Sequence, residues 1–435
     1  MSQPIVLTTL VTLFVILLAM LGTGVWVAVT LAGVGVIGLM LFTDASAGSL
    51  IASTLWDASW GWPLTALPLF IWMGEILFNT RLSEYMFKGL GPWVNRLPGR
   101  LIHVNVLGCG IMAAVAGSSA VTCVTIGRMS LPELEKRGYD EMLAVGSLAG
   151  SGTLGLLIPP SIVMIVYGVL AQQSIARLFI AGVLPGLLLM SLFMGYVGLW
   201  SLMHPHRVPA PEPAMSLREK LGSARQLIPV VLLITAVIGS IYGGVATPTE
   251  AAALGVLGSL GLAAWSRTLT AGTFMNSLMS ATRVSCMIAF IIGAAAILSM
   301  AMAFLNIPQT LAQWVDSLGL SPYMLLLVLS VLFIVLGCFL DGISILVLSS
   351  AVVLPMVKAA GIDLLWFGIY MVILIEMAQV TPPVGFNLFV LQSLTRLNIW
   401  QITRATIPFF LLLCLALVLI TVFPQIVFVL PDLMR

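Results

Sequence analysis

Apolar segments about as long as a bilayer is thick follow one another along almost the entire chain, and no other feature limits its fold so strongly. Of the 435 residues, 60% are hydrophobic and 8% are charged. Soluble proteins carry roughly a quarter charged residues, so this chain has too few charges to cover an aqueous surface. A transmembrane helix requires about 20 apolar residues. The sequence therefore predicts an all-α polytopic membrane protein.

Catalytic and metal-binding chemistry is not indicated by the side chains. The five cysteines lie in apolar stretches, and the three histidines lie near predicted span ends without clustering with acids. No Walker A, GxSxG or HExxH motif occurs. We therefore expect no enzyme activity and no bound metal except a transported ion. The net charge of +2 gives no indication of a nucleic-acid partner, and the first apolar run, which no basic residue precedes, is predicted to be a retained helix.

The chain contains an internal repeat, in which residues recur 223 positions later. The double proline Pro159-Pro160 recurs as Pro382-Pro383. At the same offset, Leu131-Pro132 matches Leu354-Pro355, Gly138 matches Gly361, and Asp140 matches Asp363. A double proline is unusual inside an apolar run, because proline disrupts a helix interior. The shared offset predicts two structurally related halves.

The predicted spans form two sets that are separated by a polar cytoplasmic linker at 203–225. The first repeat, 1–202, is predicted to hold spans at 4–21, 23–42, 61–79, 101–127, 140–170 and 180–202. The second repeat, 226–435, is predicted to hold spans at 226–246, 249–265, 284–304, 321–357, 362–395 and 405–430. The double prolines predict that the 140–170 and 362–395 spans are broken helices.

Basic residues set the predicted topology, because Lys and Arg concentrate in cytoplasmic loops. They flank the 101–127 segment on both sides, as Lys88, Arg96 and Arg100 before it and Arg128, Lys136 and Arg137 after it. Both clusters are cytoplasmic if the segment, at about 101–132, is a re-entrant hairpin that turns at 117–119. Five crossings and one hairpin per half then make the halves inverted. The second hairpin is predicted at 321–357, and the N-terminus is predicted to be periplasmic.

Four polar interruptions lie at membrane depth, namely the two hairpin turns and the two double prolines. Irregular backbone is tolerated there where it lines a cavity, and each proline removes a backbone donor and frees a carbonyl. Neutral oxygens suit a hard monovalent cation such as sodium, whereas calcium requires more carboxylates. The alternative is that prolines and small residues serve helix packing alone. Because no Lys or Arg lies within the interruptions, we expect helix N-termini and hydroxyls to hold an anionic substrate.

Specific roles are predicted for four of the acidic residues in or beside the apolar spans. Asp341 interrupts the second hairpin and is either a functional carboxylate or a cap that accepts backbone donors. Glu376 is either a proton carrier or a tether between helices. Glu75 is expected to face lipid or a partner subunit, and Glu250 is expected to be an acid at a helix N-terminus.

Several short motifs together carry a family resemblance over nearly the whole chain. In the first half they are Gly117-Ser-Ser-Ala120, Thr125-Ile-Gly-Arg128, Lys136-Arg-Gly-Tyr-Asp140, Gly152-Thr-Leu-Gly155 and Ile158-Pro-Pro-Ser161. In the second half they are Ala246-Thr-Pro-Thr-Glu-Ala-Ala-Ala253, Gly361-Ile-Asp363, Thr381-Pro-Pro-Val-Gly385 and Asn387-Leu-Phe389. This combination resembles the large, DctM-type membrane subunit of the tripartite ATP-independent periplasmic (TRAP) transporters.

The resemblance implies a sodium-coupled elevator transporter in the bacterial inner membrane. In such a transporter, a mobile domain with the hairpins and broken helices moves against a scaffold. The implied partners are a small DctQ-type membrane subunit and a soluble periplasmic substrate-binding protein. The implied substrate is an organic acid with a carboxylate group, and Na⁺ is the implied coupling ion.

Site residues follow from the resemblance by motif. The first sodium site would include Gly117, Ser118, Ser119, Gly155 and Pro159. The second would include Asp341, Gly342, Ser344, Thr381, Gly385 and Asn387. The substrate is expected near Thr153, Pro160, Ser161, Pro382 and Pro383. The turn Leu340-Asp-Gly-Ile-Ser344 departs from the family pattern of a Glu-Thr or Asp-containing turn followed by proline, which bears directly on the second site.

Other functions compete with this interpretation. A stand-alone sodium/dicarboxylate symporter of the same broad fold would transport without a binding protein or a small subunit. A membrane-embedded enzyme would require a buried cluster of His, Cys or Asp, and a channel would conduct without coupling to a gradient.

Overall fold

A computed structural model of the protein describes residues 3–43, 46–80, 82–210, 215–225, 227–310, 313, 321–338, 340–382 and 385–434. Within these ranges the regular structure is helical and contains no β-strand, which confirms the all-α prediction. The first half forms the helices Gln3–Gly22, Val27–Phe42, Ala47–Ser59, Ala66–Phe78, Leu82–Val94, Ile102–Ala116, Ser119–Lys136, Glu141–Leu157, Ile162–Leu170 and Ile175–Met203.

The helices of the second half follow a similar order. They are Leu217–Ala224, Ile228–Tyr242, Pro248–Trp265, Ala271–Phe304, Pro322–Gly337, Gly342–Ala359, Leu364–Gln379, Phe386–Leu394, Ile399–Val422 and Gln425–Asp432. The helices Ser119–Lys136 and Gly342–Ala359 are the second arms of the two hairpins, and they begin and end at the same 223-residue offset as the double prolines. The offset thus relates helix ends as well as residue identities.

Equivalent aspartates begin the two broken helices. Asp140 caps Glu141–Leu157, and Asp363 caps Leu364–Gln379. Each carboxylate accepts a hydrogen bond of 2.9 Å from the third backbone N–H of its helix. Such a cap satisfies a donor that has no partner within the helix, so these two repeated residues have a local structural role.

Four segments differ from the predicted spans. Ala47–Ser59 precedes the predicted 61–79 span and meets Trp62–Phe78 at a bend of 56°. Ala271–Phe304 begins well before the predicted start at 284. Leu82–Val94 lies between predicted spans, and Leu217–Ala224 lies in the predicted linker. These segments mix polar residues with apolar ones, so a search for long apolar runs does not detect them as helices.

Helix length separates complete spans from interrupted ones. Four described helices are long and apolar enough to cross a membrane alone, namely Ile175–Met203, Ala271–Phe304, Gly342–Ala359 and Ile399–Val422. Counting each bent helix pair as one span raises the number to seven in the described ranges. The first arms of the two hairpins, Ile102–Ala116 and Pro322–Gly337, are among the shorter apolar helices. These helices are those of a multi-pass membrane protein, while the ten crossings, the re-entrant hairpins and the periplasmic N-terminus stay predictions.

The first helices of the two broken pairs form the centre of the molecule. All residues from 143 to 157 in Glu141–Leu157 and from 365 to 379 in Leu364–Gln379 are buried. The two helices pack against each other. A helix that is buried on every side has to be apolar all round, so the few polar residues in these two helices stand out.

The helices divide into two packed groups. We call the first the outer group, and its members are Val27–Phe42, Ala66–Phe78, Pro248–Trp265 and Ala271–Phe304. We call the second the hairpin group, and it contains both hairpins, both broken helices, Ile175–Met203 and Ile399–Val422. The groups meet where Ala271–Phe304 packs against Gly342–Ala359 and where Ala66–Phe78 packs against Ile102–Ala116. In the second contact, a Cβ atom on Gly74 would lie 2.9 Å from the carbonyl oxygen of Val115 and 3.2 Å from the Cα of Ala116.

Candidate ion and substrate site

The turn of the first hairpin rests on the first helix break. Ile102–Ala116 ends at Gly117, which has a left-handed φ of +59°, and the second arm begins after the extended residue Ser118. A Cβ atom on Gly117 would lie 2.9 Å from the carbonyl oxygen of Pro160. A side chain at this position would therefore separate the turn from the break, and it would also strain the left-handed backbone.

Gly155 makes a second close contact between this turn and the first break. A Cβ atom on Gly155 would lie 2.6 Å from the backbone carbonyl of Ser118 and 2.6 Å from the nitrogen of Ser119. The structure thus brings together four of the five residues of the predicted first sodium site. The fifth, Pro159, lines a narrow apolar space with Phe179 and Tyr242.

The double proline leaves backbone carbonyls of the first break without helical donors. Glu141–Leu157 and Ile162–Leu170 are bent by 41° across the break. The carbonyls of Gly155 and Leu156 lie four residues before Pro159 and Pro160, which carry no N–H to donate to them. These carbonyls therefore lack their usual helical donors, and their role as ion ligands stays a prediction.

Ser161 and Thr153, expected near the substrate, are buried at the same break. Ser161 caps Ile162–Leu170 and accepts a hydrogen bond of 3.3 Å from the backbone N–H of Met164. The Thr153 hydroxyl donates to the carbonyl oxygen of Gly150 at 2.6 Å. Ser161 therefore marks a helix N-terminus, which carries partial positive charge.

Asp341 caps the second arm of the second hairpin. One carboxylate oxygen accepts from the backbone N–H groups of Ile343 and Ser344 at 3.2 and 3.4 Å, and the other accepts from the Ser344 hydroxyl. The capping role is therefore observed, and an additional role in ion binding stays a prediction. Because Asp341 is exposed, its charge remains accessible from outside the packed centre.

The second hairpin contacts the second break. The Cys338 thiol donates to the carbonyl oxygen of Pro382 at 3.2 Å. At Gly385, a Cβ atom would lie 2.7 Å from the Thr381 carbonyl oxygen and 2.8 Å from the Gln379 carbonyl oxygen. Two carbonyls therefore converge on the start of Phe386–Leu394, while the Thr381 hydroxyl donates to Met377 at 2.7 Å. Pro383 lies outside the described residues.

Asn387 is the most unusual predicted site residue in its surroundings. Its side chain is fully buried, yet neither its amide nitrogen nor its amide oxygen has a hydrogen-bond partner in the described part of the chain. A buried polar group without a partner costs roughly 1–3 kcal/mol. The amide oxygen is thus free to accept from or coordinate a small ligand.

Two side chains of Leu364–Gln379 connect the second half to the first. The Ser119 hydroxyl donates to the amide oxygen of Gln379. The fully buried Glu376 accepts a hydrogen bond of 2.9 Å from the backbone N–H of Leu156 through one oxygen, and its other oxygen has no partner among described residues. A Cβ atom on Gly342 would lie 2.8 Å from Gln379 Nε2. Both hairpin turns and the first break therefore meet at this helix.

Sequence reasoning identified Glu376 but missed Gln379. The available signal was spacing, because residues three apart share one face of a helix, and Gln379 follows Glu376 by three residues within an apolar run. The hydrogen bond from the Leu156 N–H to Glu376 links two helices, so Glu376 is the tether between helices that the sequence allows as one of two interpretations. Proton transport by Glu376 stays a prediction.

The chemistry of this centre is that of neutral oxygens. Backbone carbonyls, serine hydroxyls and the Asn387 amide outnumber its carboxylates, and a hard cation prefers such oxygen ligands. In the part of the chain that the structure describes, no three His, Cys, Asp or Glu side chains group to form a metal site. The oxygens are thus of the kind that a hard cation prefers, while an ion bound here stays a prediction.

Known proteins similar to this chain are membrane transporters. The family described as "Tripartite ATP-independent periplasmic transporter, DctM component" matches residues 14–426. The C4-dicarboxylate TRAP transporter large permease protein DctM of Pseudomonas aeruginosa is 34% identical over 399 residues, which cover 92% of each chain. The sialic acid TRAP transporter large permease protein SiaM of Vibrio cholerae is 29% identical over 408 residues, which cover 91% of this chain and 92% of that protein.

A solved structure shows the same fold. The crystal structure of the Alcanivorax borkumensis YdaH transporter, described as having an unusual topology, matches with a TM-score of 0.65. The match covers 93% of this chain and 98% of that chain, at 14% sequence identity. At this identity the likeness concerns the fold alone.

Proposed function

Because this chain belongs to the DctM family of tripartite ATP-independent periplasmic transporters, we propose that it is the large permease subunit of a sodium-driven organic-acid importer of the bacterial inner membrane. The relatives are named for C4-dicarboxylates and sialic acid, and both kinds of substrate carry carboxylates. The observation that carries the proposal is the convergence of hairpin turns and helix breaks, with unpartnered buried oxygens, at the centre of the molecule.

Sodium would bind beside each hairpin turn. At the first turn, the ligands would come from Gly117, Ser118, Ser119 and the freed carbonyl of Gly155, which the close contacts hold together. At the second, Asn387 and the carbonyls that converge on Gly385 would supply oxygens. Asp341 would add negative charge at the edge of this second site. Because Asp341 is exposed, its negative charge would attract the incoming cation, since opposite charges attract over several ångströms.

The organic acid would bind between the two breaks. Ser161 begins a nine-residue helix, and Gly385 precedes a second helix of nine residues. Helix N-termini favour anions through their free N–H groups and their dipole. No Lys or Arg lies within the turns or breaks, so binding of the carboxylate would depend on these dipoles and on the bound cations. This arrangement couples substrate affinity to sodium.

Transport would occur by an elevator movement of the hairpin group against the outer group. The two groups are packed mainly within themselves. At Gly74 the backbone of the outer group lies directly against the backbone of the first hairpin, and Phe70 of the outer group packs edge to face on Phe179 of the hairpin group, with 5.8 Å between the ring centroids. An elevator movement would slide the two backbones past each other at Gly74 and would separate the aromatic pair, since packed side chains cannot interpenetrate.

Two partner proteins would complete the transporter. A periplasmic binding protein would deliver the acid, and a small DctQ-type membrane subunit would pack against the outer surface. Ala47–Ser59 buries none of its residues within this chain, and Trp56 on it and Trp60 directly after it are largely exposed. This helix is a suitable contact for the small subunit, since aromatic residues are enriched at protein interfaces.

Uptake into proteoliposomes tests this function. The chain, its small subunit and the binding protein would be combined with labelled acids, with and without an inward sodium gradient. We expect uptake only when both sodium and the binding protein are present. Sodium-driven uptake by this chain alone would instead identify a stand-alone symporter of the same fold, and currents that need no gradient coupling would identify a channel.

A further inference from the structure

A large cavity lies away from the transport centre, at the base of the first hairpin. Its volume is about 670 Å³, within the range of small-molecule sites, which is roughly 300–1,000 Å³. It is bounded by residues 95–100, by the end of Ile175–Met203 and by the linker that includes Leu217–Ala224. The cavity therefore joins the entrance of the first hairpin to the segment between the two repeats.

The cavity is positively charged. Arg96, Arg100 and Lys220 line it, and none of the described residues that line it is acidic. Arg100 and Lys220 are half-buried, while Arg96 is exposed. Three cations around one space, with no acidic residue among its described lining residues, favour an anionic occupant.

Local structure holds two of these cations in place. Gly99 and Arg100 both have left-handed φ values, +96° and +44°. A Cβ atom on Gly99 would lie 2.6 Å from a methyl group of Val197, so this turn is anchored against Ile175–Met203. The Lys220 ammonium lies 5.8 Å from the centre of the Trp93 ring, a cation–π distance. The turn that carries Arg100 and the ammonium group of Lys220 are thus positioned before any ligand binds.

The rim of the cavity is apolar and exposed. Leu97, Leu202 and Met215 all line the cavity and all expose much of their side chains. Leu217 and Leu221, one helical turn apart on the adjoining helix, are also exposed. A soluble anion such as phosphate gains nothing from such a rim, whereas hydrocarbon chains cover it favourably.

We propose that this cavity binds an anionic phospholipid. The phosphate lies among Arg96, Arg100 and Lys220, and the acyl chains cover Leu202 and Met215. Guanidinium groups match phosphate oxygens in a forked geometry. Basic pockets between membrane helices on the cytoplasmic side bind such head groups, and the predicted topology places this cavity there. The lipid connects the base of the first hairpin to the linker.

Lipid binding to the purified full-length chain, measured by native mass spectrometry, tests the proposal. The probe is phosphatidylglycerol, and phosphatidylcholine with the same acyl chains is the neutral comparison. The test variant carries Arg96→Gln, Arg100→Gln and Lys220→Gln. The control carries Arg267→Gln, Arg396→Gln and Arg404→Gln, which removes equal charge at exposed positions that do not line the cavity.

We expect the test variant to bind phosphatidylglycerol at least about tenfold more weakly, and the control to stay within about twofold of the wild type. Phosphatidylcholine should bind no better to the wild type than to the test variant, and millimolar inorganic phosphate should not displace the lipid. Equal phosphatidylglycerol affinity in all three proteins would overturn the proposal, as would displacement by free phosphate. If the triple variant does not fold, the single exposed substitution Arg96→Glu gives the same comparison.

Discussion

Replacement of Gly155 by alanine tests the contact between the first hairpin turn and the first break. The new methyl group would lie 2.6 Å from the backbone of Ser118 and Ser119. That is about 0.8 Å short of ordinary contact, which begins at 3.4 Å. Backbone atoms cannot rotate away as a flexible side chain does, so the hairpin turn has to move off the break.

The expected size of the effect follows from this overlap. Overpacking of a close-packed interior costs roughly 1–3 kcal/mol. If the displaced turn supplies ligands to sodium, this cost falls on the ion-bound state. Such a free energy corresponds to about 5- to 150-fold weaker binding. The half-saturating sodium concentration for uptake should therefore rise by at least about fivefold, while the dependence on binding-protein concentration stays the same.

Gly195→Ala is the matched control for this experiment. Gly195 lies in Ile175–Met203, and a Cβ atom added there meets no atom within 4 Å. The methyl group should change the sodium dependence by less than about twofold, since it creates no overlap. An unchanged sodium half-saturation in Gly155→Ala, with normal yield and elution of the protein, would refute a role of this turn in sodium binding.

Three further predictions concern the other parts of the centre. Asp341→Asn keeps an acceptor for the backbone N–H groups but loses the charge, so the half-saturating sodium concentration for uptake should rise about tenfold or more. The equivalent cap change Asp363→Asn should leave this concentration within about twofold. Equal effects of the two changes would assign Asp341 to capping alone. A disulfide between Gly74→Cys and Ala116→Cys should stop uptake, and a reductant should restore it to the level of the same double variant before oxidation. Because a Cβ atom on Gly74 already presses on the hairpin backbone, each single cysteine variant serves only to show that the reductant itself does not change uptake. Undiminished uptake by the cross-linked protein would contradict the elevator. Glu376→Gln keeps an acceptor for the Leu156 N–H and should retain uptake within about threefold. Glu376→Ala loses this hydrogen bond and should lower uptake at least about tenfold. Equal loss of uptake in both variants, with an altered pH dependence, would instead support Glu376 as a proton carrier.

The sequence predicts the fold class and the breaks because both have local physical causes. Apolar runs require lipid or a buried core, and Pro159-Pro160 cannot donate hydrogen bonds to the preceding turn. Asp140 and Asp363 are likewise readable as caps from their positions before apolar runs. The helix Ala47–Ser59 is different, since its serines and its Asp57 interrupt the apolar pattern that identifies a span.

The sequence does not predict which residues far apart along the chain contact each other. Ser119 and Gln379 meet because two hairpin turns and two helix breaks pack together, and nothing in the residues next to Gln379 indicates Ser119 as its partner. The two buried polar atoms of the Asn387 amide have no hydrogen-bond partner among the described residues, and this too results from tertiary packing. The family motif placed Asn387 in a predicted sodium site, while only the structure shows that its amide has no hydrogen-bond partner among the described residues.

Sodium binding itself is the most direct test of the proposed ion sites. Binding of ²²Na⁺ to the purified chain in detergent would be compared between the wild type, Asn387→Ala and the surface control Asn79→Ala. We expect saturable binding in the wild type and in Asn79→Ala, with a clear loss of sites or affinity in Asn387→Ala. Saturable binding that is identical in all three proteins, or no binding to the wild type, would contradict the claim that the buried oxygens at the hairpin turns and helix breaks hold sodium.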